Sequence, residues 1–137
     1  MADKNSFRLT SREDGNEVAI VKNDSQADVT LEYSVNDGSS WIAYTIGTGI
    51  PLNTNNFVLF RGNNNTFSQS SYNYYNVTAT KTFNASGNIM SLLDKSCKLI
   101  SLDGKNFVFY NLFNNNNNLV DTSDLSLPAT TLATSCY

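Results

Sequence analysis

Short runs of alternating apolar and polar residues, broken by turn-forming residues about every ten positions, constrain this chain more than any other feature. Phe7 and Leu9 begin one run that ends at Glu13-Asp14-Gly15-Asn16, and Val18-Ala19-Ile20-Val21 begins the next. Asn23-Asp24-Ser25 then reads as a turn. Val29, Leu31 and Tyr33 alternate with Thr30 and Glu32, a period of two that puts the first three on one face of a strand. After the turn residues Asn36-Asp37-Gly38 the spacing predicts a return strand from Trp41 to Ile46, with Ile42, Tyr44 and Ile46 on one side. Further strands are predicted from Phe57 to Arg61 and from Tyr75 to Phe83. Short strands joined by turns, without a helical period, predict a mainly β fold. Its expected form is an antiparallel β-sandwich of the immunoglobulin type over residues 1–85.

One hairpin has a further signature. Ser34, Asn36, Gly38, Ser40 and Trp41 follow the spacing S-x-D-x-G-x-T-W in relaxed form, which resembles the hairpin repeated in the blades of sialidase propellers. At this spacing an Asn or Asp caps turn amides, a glycine supplies a positive φ, and a tryptophan packs over the turn. A propeller needs the box in several blades, and this chain has one. The hairpin is therefore expected to carry structure, not glycosidase activity.

The remainder, residues 86–137, has a different texture. Ile89-Met90-Ser91-Leu92-Leu93 predicts a buried strand, and Phe107, Val108, Tyr110, Leu112 and Phe113 form an apolar cluster ahead of five consecutive asparagines, Asn114 to Asn118. That run has two readings: an asparagine ladder at the corner of a solenoid, or an exposed polar loop, the latter being expected. Leu119, Val120, Leu125 and Leu127 follow, then Pro128-Ala129-Thr130-Thr131-Leu132-Ala133-Thr134-Ser135-Cys136-Tyr137. Together with the hairpin, Phe60-Arg61-Gly62-Asn63-Asn64 and Ala85-Ser86-Gly87-Asn88, these segments resemble the sandwich and truncated BspA-type leucine-rich repeat of Bacteroides-like surface proteins and of the crAss-like phages of such hosts. The resemblance spans residues 27–137. It implies a short leucine-rich-repeat-like appendage after the sandwich. One repeat cannot bury its apolar face alone, and about three are needed for a free-standing solenoid. Phe107, Tyr110, Leu112, Phe113, Leu119, Leu125, Leu127 and Leu132 are accordingly expected to form an assembly interface with another chain.

Composition narrows the function. The 137 residues include 21 asparagines but only 15% charged side chains, and 40% hydrophobics with 8 Phe and 7 Tyr supply a core. Net charge is -3 with no block of Lys or Arg, which excludes nucleic acid as a partner because phosphates need clustered cations. No stretch nears the roughly 20 apolar residues of a membrane span. Met1-Ala2-Asp3-Lys4-Asn5-Ser6 is polar, and Val18 to Val21 is shorter than an export signal's apolar core, so no export signal is expected. Sequons at Asn23, Asn64, Asn76 and Asn84 match the number that such a composition yields by chance. Leu127-Pro128-Ala129-Thr130 approaches a sortase signal but continues with Thr131 instead of glycine.

Chemistry is sparse. There is no histidine, the commonest general base and zinc ligand. Cys97 and Cys136 are too few for a disulfide framework and are expected as buried thiols, with a single bridge between them as the alternative. Asp14, Asp24, Asp28, Asp37, Asp94, Asp103, Asp121 and Asp124 lie mostly in turn contexts, where capping explains them, and Asp121-Thr122-Ser123-Asp124 lacks the spacing of a calcium loop. The expectation is a protein without enzymatic activity, cofactor or metal. The resemblance implies a virion structural protein: a capsid decoration (auxiliary capsid), head-fibre or tail-associated module that binds other virion proteins or copies of itself. The alternative is a bacterial cell-surface adhesion or carbohydrate-binding module, with Tyr72, Tyr74 and Tyr75 as ligand-facing aromatics and a host-surface glycan as partner.

Overall fold

The computed structural model describes residues 5–23 and 28–137. The turn expected at Asn23-Asp24-Ser25 falls on residues 24–27 and lies outside the described residues. The protein is mainly β, with two packed sheets in a sandwich-like arrangement. The strands are β1 (Phe7–Ser11), β2 (Asn16–Asn23), β3 (Leu31–Ser34), β4 (Ile42–Tyr44), β5 (Ile50–Leu52), β6 (Phe57–Arg61), β7 (Tyr74–Ala79), β8 (Phe83–Asn88), β9 (Leu119–Asp121) and β10 (Leu125–Ser126). A seven-stranded sheet runs β10-β8-β1-β6-β3-β4, with β9 also on β8, and a three-stranded sheet runs β5-β2-β7.

The alternation in the sequence does what it predicts in β1, where Phe7, Leu9 and Ser11 are buried and Arg8 and Thr10 are not. β6 departs from it, since Val58, Leu59 and Phe60 are buried in succession. Tyr44 connects the layers: its Oη accepts from Ile20 N at 3.0 Å and donates to Thr48 O at 2.6 Å. Burial pushes that hydroxyl above its ordinary pKa, so it stays a neutral donor.

Several expectations need correction. The strand from Tyr75 to Phe83 is two strands in different sheets, because the chain crosses between layers at Thr80-Lys81-Thr82. Asn16, buried at the start of β2, holds that crossing. Its Nδ2 donates to Lys81 O at 3.2 Å and Thr82 O at 3.1 Å, and its Oδ1 accepts from Lys81 N at 2.9 Å. The predicted strand at Ile89–Leu93 is a 3₁₀ turn, Ile89–Leu92, capped by the Asn88 side chain. Its residues are buried nonetheless. Ser91 Oγ accepts from Phe7 N and donates to Phe60 O, both at 2.8 Å, so the turn is bonded to β1 and β6. The return strand shrinks to Ile42–Tyr44, and Ile42 is exposed. β5 carried no signal, being three residues long with Pro51 at its middle.

The large sheet is also mixed, where an antiparallel one was expected. β9 and β10 both pair with β8 in parallel. Gly87 sits where they meet the N-terminal segment: its φ is +76°, and a Cβ there would lie 2.0 Å from the Ser6 carbonyl oxygen. The division between residues 85 and 86 falls inside β8, and Leu102, Val108, Phe109, Leu112 and Cys136 belong to the same core cluster as Phe7, Ile20 and Phe60.

Replacing Asn16 strips several buried partners at once. Asn16→Ala is expected to lower stability by about 2–3 kcal/mol, since each buried polar group left unpaired costs about 1–3 kcal/mol. Urea denaturation measures it. A loss below about 0.5 kcal/mol, typical of an uninvolved surface site, would mean that Asn16 does not hold the crossing.

Candidate functional site

The C-terminal third packs into the core of the sandwich, and two of its stretches pair with each other. Residues 130–136 run alongside 100–109 in the same direction: Thr130 N donates to Ile100 O and Leu102 N to Thr131 O at 2.8 Å, Phe107 N to Thr134 O at 2.9 Å and Phe109 N to Cys136 O at 3.0 Å. Between these layers and β10 opens an apolar groove of about 360 Å³, lined by Ile89, Phe109, Asn111, Leu112, Phe113, Asn114, Leu125, Leu127 and Tyr137. Tyr137 stacks on Phe109 with 6.0 Å between ring centroids, and Phe113 packs against Phe7 at 6.2 Å. Burial raises the Tyr137 hydroxyl above its ordinary pKa.

Four of the eight residues anticipated as an interface, Leu112, Phe113, Leu125 and Leu127, thus meet at one groove. The others lie elsewhere. Phe107 and Tyr110 form an edge-on pair at 5.5 Å, and Tyr110 continues edge-on to Tyr74 at 5.9 Å. Leu119 is half-buried on β9, and Leu132 is 60% exposed. Among the described residues eight large hydrophobics are exposed, and Ile100, Val120, Leu127, Leu132 and Tyr137 make five of them. Ile89, Phe109 and Tyr137 were not anticipated in the groove. Only the apolar pattern around Phe107–Phe113 hinted at Phe109.

The tyrosines separate. Tyr72 is 77% exposed and Tyr74 half-buried, whereas Tyr75 is wholly buried. Its ring lies 4.5 Å from Phe67 and its Oη accepts from Val29 N at 2.9 Å, so it faces the core and no ligand.

The hairpin forms the anticipated turn. Asp37 and Gly38 take φ of 59° and 83°, as a type I′ turn requires, and Ser39 N donates to Asn36 O at 3.2 Å. Ser34 Oγ accepts from Gly38 N at 2.9 Å, and Asn36 Oδ1 accepts from Ser40 N at 3.0 Å and Ser34 Oγ at 2.8 Å. Trp41 lies under the Arg61 guanidinium at 3.8 Å. Arg61 Nε is 3.4 Å from Glu32 Oε1, though too poorly aligned for a hydrogen bond.

Most of the aspartates have partners within the fold. Asp14 Oδ1 accepts from Thr54 N and Asp121 Oδ1 from Ser123 N, while Asp28 pairs with Lys22 at 2.6 Å and Asp37 with Arg8 at 3.2 Å. Asp24 lies outside the described residues. Asp94 accepts from Ser96 Oγ at 2.7 Å and from the amides of Ser96, Lys98 and Leu99. Cys97 and Cys136 are free thiols, the first half-buried and the second buried. Among the described residues no three His, Cys, Asp or Glu side chains cluster as metal ligands would, and no helix is long and apolar enough to cross a membrane. Against protein-family models, curated proteins and solved structures the chain finds no match.

Gly38→Val forces a branched side chain to positive φ and is expected to cost about 1–3 kcal/mol. Thermal melts check it, and an unchanged midpoint would contradict the turn geometry. Asp94 supplies a pH test. The Ser96 hydroxyl, aided by three amides and opposed by partial burial, holds its pKa below the ordinary 3.8. Its contribution is therefore present above the unfolded value and lost as pH falls through the lower folded one. Asp94→Asn should flatten the fall in stability below about pH 5, measured by urea midpoints across the acid range. An unaltered acid limb would show that this carboxylate is not a source of it.

Proposed function

We propose that the chain is a non-enzymatic assembly module, a structural protein of a phage virion that attaches through its C-terminal coil. The carrying observation is that five of the eight exposed large apolar side chains among the described residues fall in the C-terminal third: Ile100, Val120, Leu127, Leu132 and Tyr137, of which Leu127 and Tyr137 line the groove with Phe113 and Leu125. Exposed apolar surface that is clustered, not scattered, marks interaction sites. Parallel pairing of 130–136 with 100–109, and the resemblance over residues 27–137, support reading this segment as the single coil of a leucine-rich-repeat-like solenoid on an immunoglobulin-like sandwich. A coil of that kind is completed by a neighbour. The phage setting, as capsid decoration, head-fibre or tail-associated part, rests on that resemblance.

Sedimentation of the full chain, alone and with candidate capsid or tail proteins, tests the proposal. The full chain is expected to associate, and Leu127→Asp with Leu132→Asp is expected to abolish association without moving the melting midpoint. A full chain that stays monomeric alone and in every mixture, or a double variant that assembles normally, would overturn it.

A further inference from the structure

The five-asparagine run lies along β7. Asn116 Nδ2 donates to Val77 O at 2.9 Å and Asn118 Nδ2 to Ala79 O at 2.7 Å. Asn76, on β7 itself, reaches back to Asn111 O at 2.7 Å. The run is thus the expected exposed polar loop at Asn114, Asn115 and Asn117, but it is tied to β7 through Asn116 and Asn118. Alternate asparagines bind the strand while Asn115 and Asn117 face solvent.

Two concavities of about 260 and 270 Å³ flank this seam and share Asn76, Asn114 and Asn115, so they form one trough. Seven of its lining residues are asparagine, and its one charged side chain, Lys22, is paired with Asp28 at 2.6 Å. Tyr74 walls one end, braced edge-on by Tyr110 at 5.9 Å. Tyr72 stands exposed at the same end, its carbonyl accepting from the trough residue Asn23 at 3.0 Å.

We propose that this trough binds a neutral oligosaccharide. A side-chain amide offers a donor and an acceptor together, matching a sugar hydroxyl, which is also both. Asn114, Asn115 and Asn117 make no side-chain hydrogen bond among the described residues, so their amides meet a ligand with both groups. Tyrosine faces supply apolar, amphipathic surface for the C–H face of a pyranose. Among the described residues that line the trough the one cation, Lys22, is paired with Asp28, which selects neutral over acidic sugars. An extended peptide gains little there, because Asn116 and Asn118 already bind two of the carbonyls along β7. The trough shares only Asn114 with the apolar groove, so this role is independent of assembly.

The test titrates the full chain with cellohexaose, mannohexaose and maltohexaose, and with hexagalacturonate for contrast. Calorimetry gives affinity, and NMR follows the asparagine side-chain amides. At least one neutral hexasaccharide is expected to shift the resonances of Asn114, Asn115 and Asn117. Tyr72→Ala, at an exposed site that leaves the fold intact, is expected to weaken binding about tenfold, the scale of one aromatic contact. Asn117→Asp should weaken it without moving the melting midpoint. No shift with any neutral sugar, shifts confined to another surface, equal affinity for hexagalacturonate, or full binding by Tyr72→Ala would each overturn the proposal.

Discussion

A sandwich of two open sheets leaves backbone amides and carbonyls along its outer strands; burying them unpaired is unfavourable, and leaving them open offers a template to another strand. In this protein the C-terminal third answers that demand at one end of both sheets. β9 and β10 pair with β8 at the end of the large sheet, while Val77 N of β7 donates to Leu112 O at 2.8 Å at the end of the small one. The asparagine amides complete the second seam. Side-chain amides mimic backbone groups, so a run of them can pair with a strand without itself being one.

This dependence explains why the tail and sandwich share a core. Val108 O accepts from Ser68 N at 2.8 Å, and Ser68 Oγ accepts from Tyr75 N at 2.9 Å, so tail, loop and β7 form one chain of buried hydrogen bonds. Phe67 lies between Tyr75 and Phe109, with ring centroids at 4.5 and 6.1 Å. Side chains that looked surplus to a polar appendage, Leu112 above all, are buried against the sandwich. The apolar surface that remains outward is correspondingly concentrated on fewer residues.

Alternation located β1 and β3, an apolar run located β6, and turn chemistry located the hairpin between β3 and β4, because these are local signals. The break between β7 and β8 was hidden, since Thr80-Lys81-Thr82 suits a strand and the side chain that bends it, Asn16, is some 65 positions away. β5 was too short and too proline-marked to register. At the tyrosines the period of two is legible: neighbours in a strand point to opposite faces, so Tyr74 and Tyr75 cannot both meet a ligand. The five asparagines showed their polarity but not their partners, which the fold supplies from β7.

The other ends of the two sheets, β4 and β5, are treated differently. Each strand has three residues, and β5 carries Pro51 at its middle, where no amide hydrogen can be offered. Such stubs make poor templates for an incoming strand. At one end, then, the chain's own tail occupies the backbone, and at the other brevity and proline deter addition. Copies crowded at high local density are thereby steered away from edge-to-edge fusion into fibres.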